Sequence, residues 1–349
     1  MNSSEHLMKK SLGVLSIVLV IAFLFPLASP SVDAEDDWYY HQLDVNERAI
    51  YDAICLAGVD DREIVVNLPT KITAEGNLTN FFVNYLAKIE NRVILMALEY
   101  NEPLAYWTWG NSKISLEAPT VKTGNIESLS TITLKLKLDP AYEDDPLTTV
   151  NELAAKISTL EYEVNKFTSK STDRRGILVD INNYLTNLIT YDPNYGKNNE
   201  SPFAHDAYGA LVSSNHYAVC DGYSKAFLLL CNKMKIPCVI DIGVTIPSLV
   251  NHAWNYVQME NGNWYAMDVT WNDGDDNKFF LIGAKTLFET HQSATYYHDY
   301  IETLPFHLPK VNADRYDPDP PSYEAYAMIL AVAIAAIVLY TLYRSTKKN

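Results

Sequence analysis

The sequence is poor in the residues that build special architectures. Among 349 residues stand four cysteines, 13 glycines and 16 prolines, which excludes a disulfide-dense scaffold, a collagen-like repeat and a Pro/Gly-rich linker. Positive charge is short as well: 27 Lys and Arg face 43 Asp and Glu, a formal balance of −16. Such a surface repels phosphate backbones, so no nucleic acid partner is expected. No internal repeat or low-complexity tract is present apart from apolar runs near the two ends.

Those runs set the expected topology. Leu12 to Ala28 is apolar, preceded by Lys9 and Lys10 and followed by Val32-Asp33-Ala34, the pattern of a secretory signal over residues 1–34. Ala325 to Tyr343 carries no charge over nineteen residues, enough to cross the roughly 30 Å hydrocarbon layer. Arg344, Lys347 and Lys348 follow and would hold residues 344–349 in the cytoplasm. Residues 311–324, with Pro318, Pro320 and Pro321, read as a stiff spacer. The expectation is a single-pass cell-membrane protein with its ectodomain outside and a transmembrane helix at 325–343.

Two units are expected in the ectodomain. In the first, residues 35–170, Asp44 and Glu47 make a capping-box pattern ahead of Ile50 and Ile54, and a second helix is expected over Asn80 to Ile89. Thr131 to Leu138 alternates as a half-exposed strand. A long helix from Pro146, with Leu160, Val164 and Phe167 on its apolar stripe, is expected to close this α/β unit. The second unit, 171–310, opens with cap residues Ser171-Thr172-Asp173 before a helix. A further helix follows from Asp221 to Lys235, and then come strands at Val239–Val244, His252–Val257 and Trp264–Val269.

Chemistry concentrates in that unit. Cys220 immediately precedes a helical run, where unpaired N–H groups and the helix dipole favour a thiolate, the nucleophile of acyl transfer. A small buried hydrophobe is the competing reading. His252 could serve it as base if Asp268 orients the ring, which requires both on one face. A two-residue loop at Asn261-Gly262 puts them on opposite faces. A three-residue loop, Glu260-Asn261-Gly262, puts Asp268 diagonal to His252 on the same face and requires Gly262 at positive φ. A solvated hairpin is the bland alternative. Cys220, His252 and Asp268 are also zinc-ligand types, but a fourth ligand is missing. The acidic loop Asn272 to Asn277 lacks the ligand spacing of an EF-hand, so no metal or cofactor is expected.

The words around these residues carry a resemblance. Ala207-Tyr208-Gly209-Ala210-Leu211-Val212, Val219-Cys220-Asp221-Gly222-Tyr223-Ser224-Lys225-Ala226-Phe227 and Ile236-Pro237-Cys238, then His252-Ala253-Trp254-Asn255 and Asp268-Val269-Thr270-Trp271, resemble the transglutaminase-like superfamily. Phe279-Phe280-Leu281-Ile282 and His291 look like the tail of that domain, and the upstream tyrosine-rich segments look like leader regions of exported, membrane-anchored bacterial and archaeal members. The resemblance implies an α+β, papain-like core, with the helix of the cysteine packed on an antiparallel sheet that carries the histidine and aspartate, behind a smaller α/β region. It implies Cys220 as nucleophile, His252 as base and acid, and Asp268 as orienting carboxylate. Asn215 is the candidate oxyanion donor beside the Cys220 N–H, and Trp254 and Tyr223 are the expected substrate contacts. The expected activity is cysteine-dependent acyl transfer or hydrolysis on peptide or isopeptide bonds of a cell-surface or envelope protein. A catalytically silent surface-binding module of the same fold is the alternative.

Overall fold

The computed structural model describes residues 38–56, 63–75, 79–102, 113–137, 146–274, 276–294 and 306–318. The expected signal lies outside them, as does most of the expected span, of which residues 331, 332, 334, 337 and 340 are described, all helical. Among the described residues no helix is long and apolar enough to cross a membrane.

Local chemistry starts the first helix, α1 (Val45–Leu56). The Glu47 N–H donates to Asp44 Oδ1 at 2.9 Å and the Asp44 N–H donates to Glu47 Oε2 at 2.8 Å, so two donors left open at a helix start satisfy each other's side chains. Ile50 and Ile54 then enter the core. After β1 (Glu63–Glu75) and α2 (Thr79–Ile89), π-helical turns run on to Leu98, followed by a helical turn at Glu99–Asn101. Three strands follow: β2 (Lys113–Glu117), β3 (Thr120–Thr123) and β4 (Ile126–Lys137). β4 lies at the middle of an antiparallel sheet and pairs with all three others. Its Ile132 and Leu134 are buried while Lys135 is exposed, the expected alternation.

α3 (Pro146–Lys166) does not close this unit as expected. Its buried Leu160 and Val164 fall in its last turns, and Phe167 just beyond meets Tyr184 at 5.3 Å between ring centroids. That places its apolar end on the second unit, where it packs against the helices Ala207–Leu211 and Cys220–Lys233.

The second unit opens with α4 (Arg174–Leu188), whose N-cap Asp173 accepts the Gly176 N–H at 2.8 Å. β5 (Thr190–Tyr191) pairs in parallel with β6 (Tyr217–Ala218), and α5 (Ala207–Leu211) lies between them in sequence. α6 (Cys220–Lys233) is buried along nearly its whole length and packs on an antiparallel sheet ordered β10-β7-β8-β9. These strands are β7 (Cys238–Thr245), β8 (Asn251–Gln258), β9 (Trp264–Met267) and β10 (His291–Ser293). The short helices α7 (Val269–Asn272) and α8 (Ala284–Thr290) follow β9. One apolar core runs through both units, from Ile50 and Ile132 to Phe227 and Ile240. Polar ties cross the same boundary: the Tyr39 hydroxyl donates to the Ile240 carbonyl at 2.5 Å, and the buried Lys225 ammonium to Glu99 at 3.1 Å.

Candidate active site

Cys220 is the first residue of α6, preceded by Val219 in extended conformation, so its N–H belongs to the first-turn donors that a helix leaves without an internal acceptor. His252 comes from β8. Asn255 pairs with Met267 and Tyr256 with Ala266, the register of the three-residue loop, and Gly262 has φ +77°. Asp268 falls just past β9 and caps α7: its Oδ1 accepts the Trp271 N–H at 3.0 Å. Its Oδ2 lies 2.8 Å from His252 Nε2. Cys220 lines the same cleft as His252 and acts with Asp268 on the charge of its ring. The Trp271 ring stacks on the His252 imidazole at 5.3 Å.

The electrostatics follow from those contacts. Burial works against an imidazolium at His252, but the hydrogen bond to Asp268, with the charges of Asp268 and Cys220, raises its pKa to about 10. Burial likewise opposes the Asp268 carboxylate, yet the hydrogen bonds from His252 and His291 hold it below the ordinary carboxylate range. Amide side chains brace the segment from behind. Asn272 donates to Asn182 at 2.9 Å, Asn182 donates to Asn277 at 2.6 Å, and the Phe279 N–H donates to Asn272 Oδ1 at 2.9 Å.

Cys220 and His252 open onto a cleft of about 780 Å³. Its lining includes the apolar Ile242, Val244 and Leu249 together with Tyr100, Tyr195 and His205. His205 sits between carboxylates, Nδ1 at 2.8 Å from Asp221 and Nε2 at 2.9 Å from Glu200. The hydrogen bond to Asp221 outweighs burial and raises its pKa to about 9, so the cleft lining carries an imidazolium at neutral pH. His205, Tyr100 and Tyr195 had no spacing signal in the sequence, because a loop and the first unit deliver them to the cleft.

Three expected site residues are elsewhere. Asn215 does not line the cleft; its Oδ1 accepts from Ser213 Oγ at 3.1 Å and from the Tyr217 N–H at 3.3 Å, the local turn bonding typical of asparagine. Trp254 is fully buried and packs edge-on to His291 at 4.8 Å, because β8 is covered on both faces. Tyr223 is also fully buried, and its hydroxyl donates to Asp273 at 2.7 Å. Asp273 of the acidic loop is thereby a structural acceptor.

His252, Asp268 and His291 bring ligand-type atoms within 4.8 Å of one another. The two imidazole nitrogens stand 2.8 and 3.1 Å from the same Asp268 oxygen. Ligands on a tetrahedral zinc would be roughly 3.3 Å apart, given metal–ligand bonds of about 2.0–2.2 Å. These contacts are therefore hydrogen bonds.

Residues 162–269 match the family model described as the transglutaminase-like superfamily. No curated protein matches the chain. Among solved structures, a crystal structure of a TGase is similar at 17% identity and a TM-score of 0.29, over 74% of this chain and 64% of that one. A candidate cysteine protease from Cytophaga hutchinsonii is similar at 14% identity and a TM-score of 0.23, over 46% of this chain and 65% of that one. The chain thus spans less than two thirds of the length of either. Over residues 162–269 it carries a domain of the transglutaminase-like superfamily.

Proposed function

We propose that the protein is a cysteine-dependent acyltransferase or hydrolase acting on peptide or isopeptide bonds. The single observation behind this reading is the cleft that Cys220, at the start of α6, lines together with His252, whose ring is held 2.8 Å from Asp268. Cys220 gives its proton to His252 and its sulfur attacks the amide carbonyl carbon. The carbonyl electrons move onto oxygen, near the Cys220 N–H at the start of α6. When they return, the C–N bond breaks, and the amine leaves with the proton carried by His252. Water or a second amine then cleaves the thioester and restores the thiol. Asp268 keeps the His252 ring in the tautomer and orientation that both proton transfers need.

The uncharged run from Ala325 to Tyr343 and the signal-like N-terminus favour a surface or envelope protein as substrate, with the ectodomain outside the cell. Protease added to intact cells should then remove the ectodomain. The catalytic reading is tested by incubating the ectodomain with an envelope protein extract and following amide cleavage and cross-linking. Cys220→Ala should abolish both without unfolding the protein. Activity retained in that variant would leave a binding module as the function.

A further inference from the structure

Asp268 is shared between two histidines. Its Oδ2 lies 2.8 Å from His252 Nε2 and 3.1 Å from His291 Nε2, so against an ionised carboxylate both rings carry hydrogen on Nε2. His291 is fully buried at the start of β10. Trp254, Trp271 and Phe279 surround it with ring centroids at 4.8, 4.5 and 5.8 Å. On its far side, Nδ1 is 2.8 Å from Thr290 Oγ1, whose hydroxyl also has the Leu287 carbonyl as an acceptor at 3.3 Å. Orienting His252 does not require any of this, because Asp268 is already fixed by its bond to the Trp271 N–H.

We propose that His291 is a positioning residue that moderates Asp268: by donating to the oxygen that His252 uses, it loosens that oxygen's hold on the His252 imidazolium and eases proton delivery to the leaving amine. The inference rests on the acyl-transfer reading and extends it to a fourth residue. A carboxylate oxygen that accepts two hydrogen bonds is a weaker base toward each donor. An imidazolium held too tightly is a poor general acid near neutral pH, and His252 is already raised to about 10 with His291 in place. Cys220 from α6, Asp268 ahead of α7 and His291 from β10 surround His252 directly. Asp221 and His205 share the cleft with it, and Tyr191 and Asp273 share a second hollow.

Iodoacetate labelling of Cys220 in the full chain, read on the Cys220 peptide across pH, tests this without a known substrate. An imidazolium beside the thiol attracts the anionic reagent, so the labelling rate falls as His252 loses its proton. His252→Ala identifies that limb against any contribution from His205. His291→Phe fills the aromatic cage without an N–H and should move the limb upward by about one pH unit. Thr290→Val removes the support at Nδ1 and should move it the same way by less. The half-exposed Thr290 variant carries the test alone if His291→Phe does not fold. Limbs that coincide with the wild type, or move downward, overturn the role of His291. A wild-type profile with no limb dependent on His252, or activity retained in Cys220→Ala, overturns this proposal and the acyl-transfer reading together, whereas limbs unmoved by the His291 and Thr290 variants overturn the role of His291 alone.

Discussion

The four cysteines are chemically alike as residues and are separated by their surroundings. All four are thiols. Cys220, Cys231 and Cys238 are all buried, but only Cys220 lines the cleft; burial together with a hydrogen bond to Cys238 pushes the Cys231 thiol well above its ordinary range. Cys55 is exposed in the last turn of α1. In native protein Cys220 and Cys55 should therefore react with a maleimide, and Cys231 and Cys238 only after denaturation. His252→Ala should slow Cys220 alone. Peptide mapping after brief labelling checks this, and a Cys220 rate indifferent to His252 would count against the pair. Asp268→Asn is the sharper probe of roles. Its amide would stabilise the wrong imidazole tautomer, so kcat should fall by on the order of a thousandfold or more with KM little changed. Comparable losses in kcat and KM would make Asp268 structural.

At the scale of elements, the hairpin that aligns His252 and Asp268 depends on one turn. Gly262 has φ +77° and an added Cβ would touch nothing within 4 Å, so Gly262→Ala should cost only the left-handed backbone penalty, about 1 kcal/mol by chemical denaturation. Gly243 is different. A Cβ there would come within 2.0 Å of the Gln292 carbonyl oxygen, so Gly243→Ala must push β10 away and take His291 with it. It should lose more stability than Gly262→Ala, and a smaller loss would mean that β10 yields freely. The turn, the capping box of α1 and the helix behind Cys220 were legible in the sequence because each is written within a few neighbouring residues. The partner of α3 was not, since its stripe is equally apolar toward either unit. Trp254 is no substrate contact because β8 is buried from His252 to Val257, so that neither of its faces meets solvent. His291 and Tyr100 reach the site only through long-range packing, which no spacing rule records.

The whole molecule answers to pH in one direction over most of the accessible range. His252 and His205 are raised to about 10 and about 9. Their contribution is therefore complete below the unfolded value near 6.5 and disappears as pH rises through 9 to 10. Two buried carboxyls act in the same sense. Burial raises Asp206 to about 7 against the pull of Lys225, and raises Asp241 to about 7 despite hydrogen bonds from Tyr256 and Ser293. Each binds its proton more tightly folded than unfolded, so each withdraws stability between about pH 4 and 7. Asp268, lowered in the fold, opposes this only below about pH 4. The formal charge of −16 at pH 7 adds self-repulsion that grows with pH. Thermal melts at constant ionic strength should therefore give the highest Tm at about pH 4 to 5 and a steady decline toward pH 10. Asp241→Asn should flatten the acidic part of that decline and leave the alkaline part, which belongs to the histidines, unchanged. A Tm that climbed between pH 5 and 9 would require those carboxyls to ionise as readily in the fold as in the open chain, and with that a cation near Asp241, where the described residues place Tyr256 and Ser293 instead.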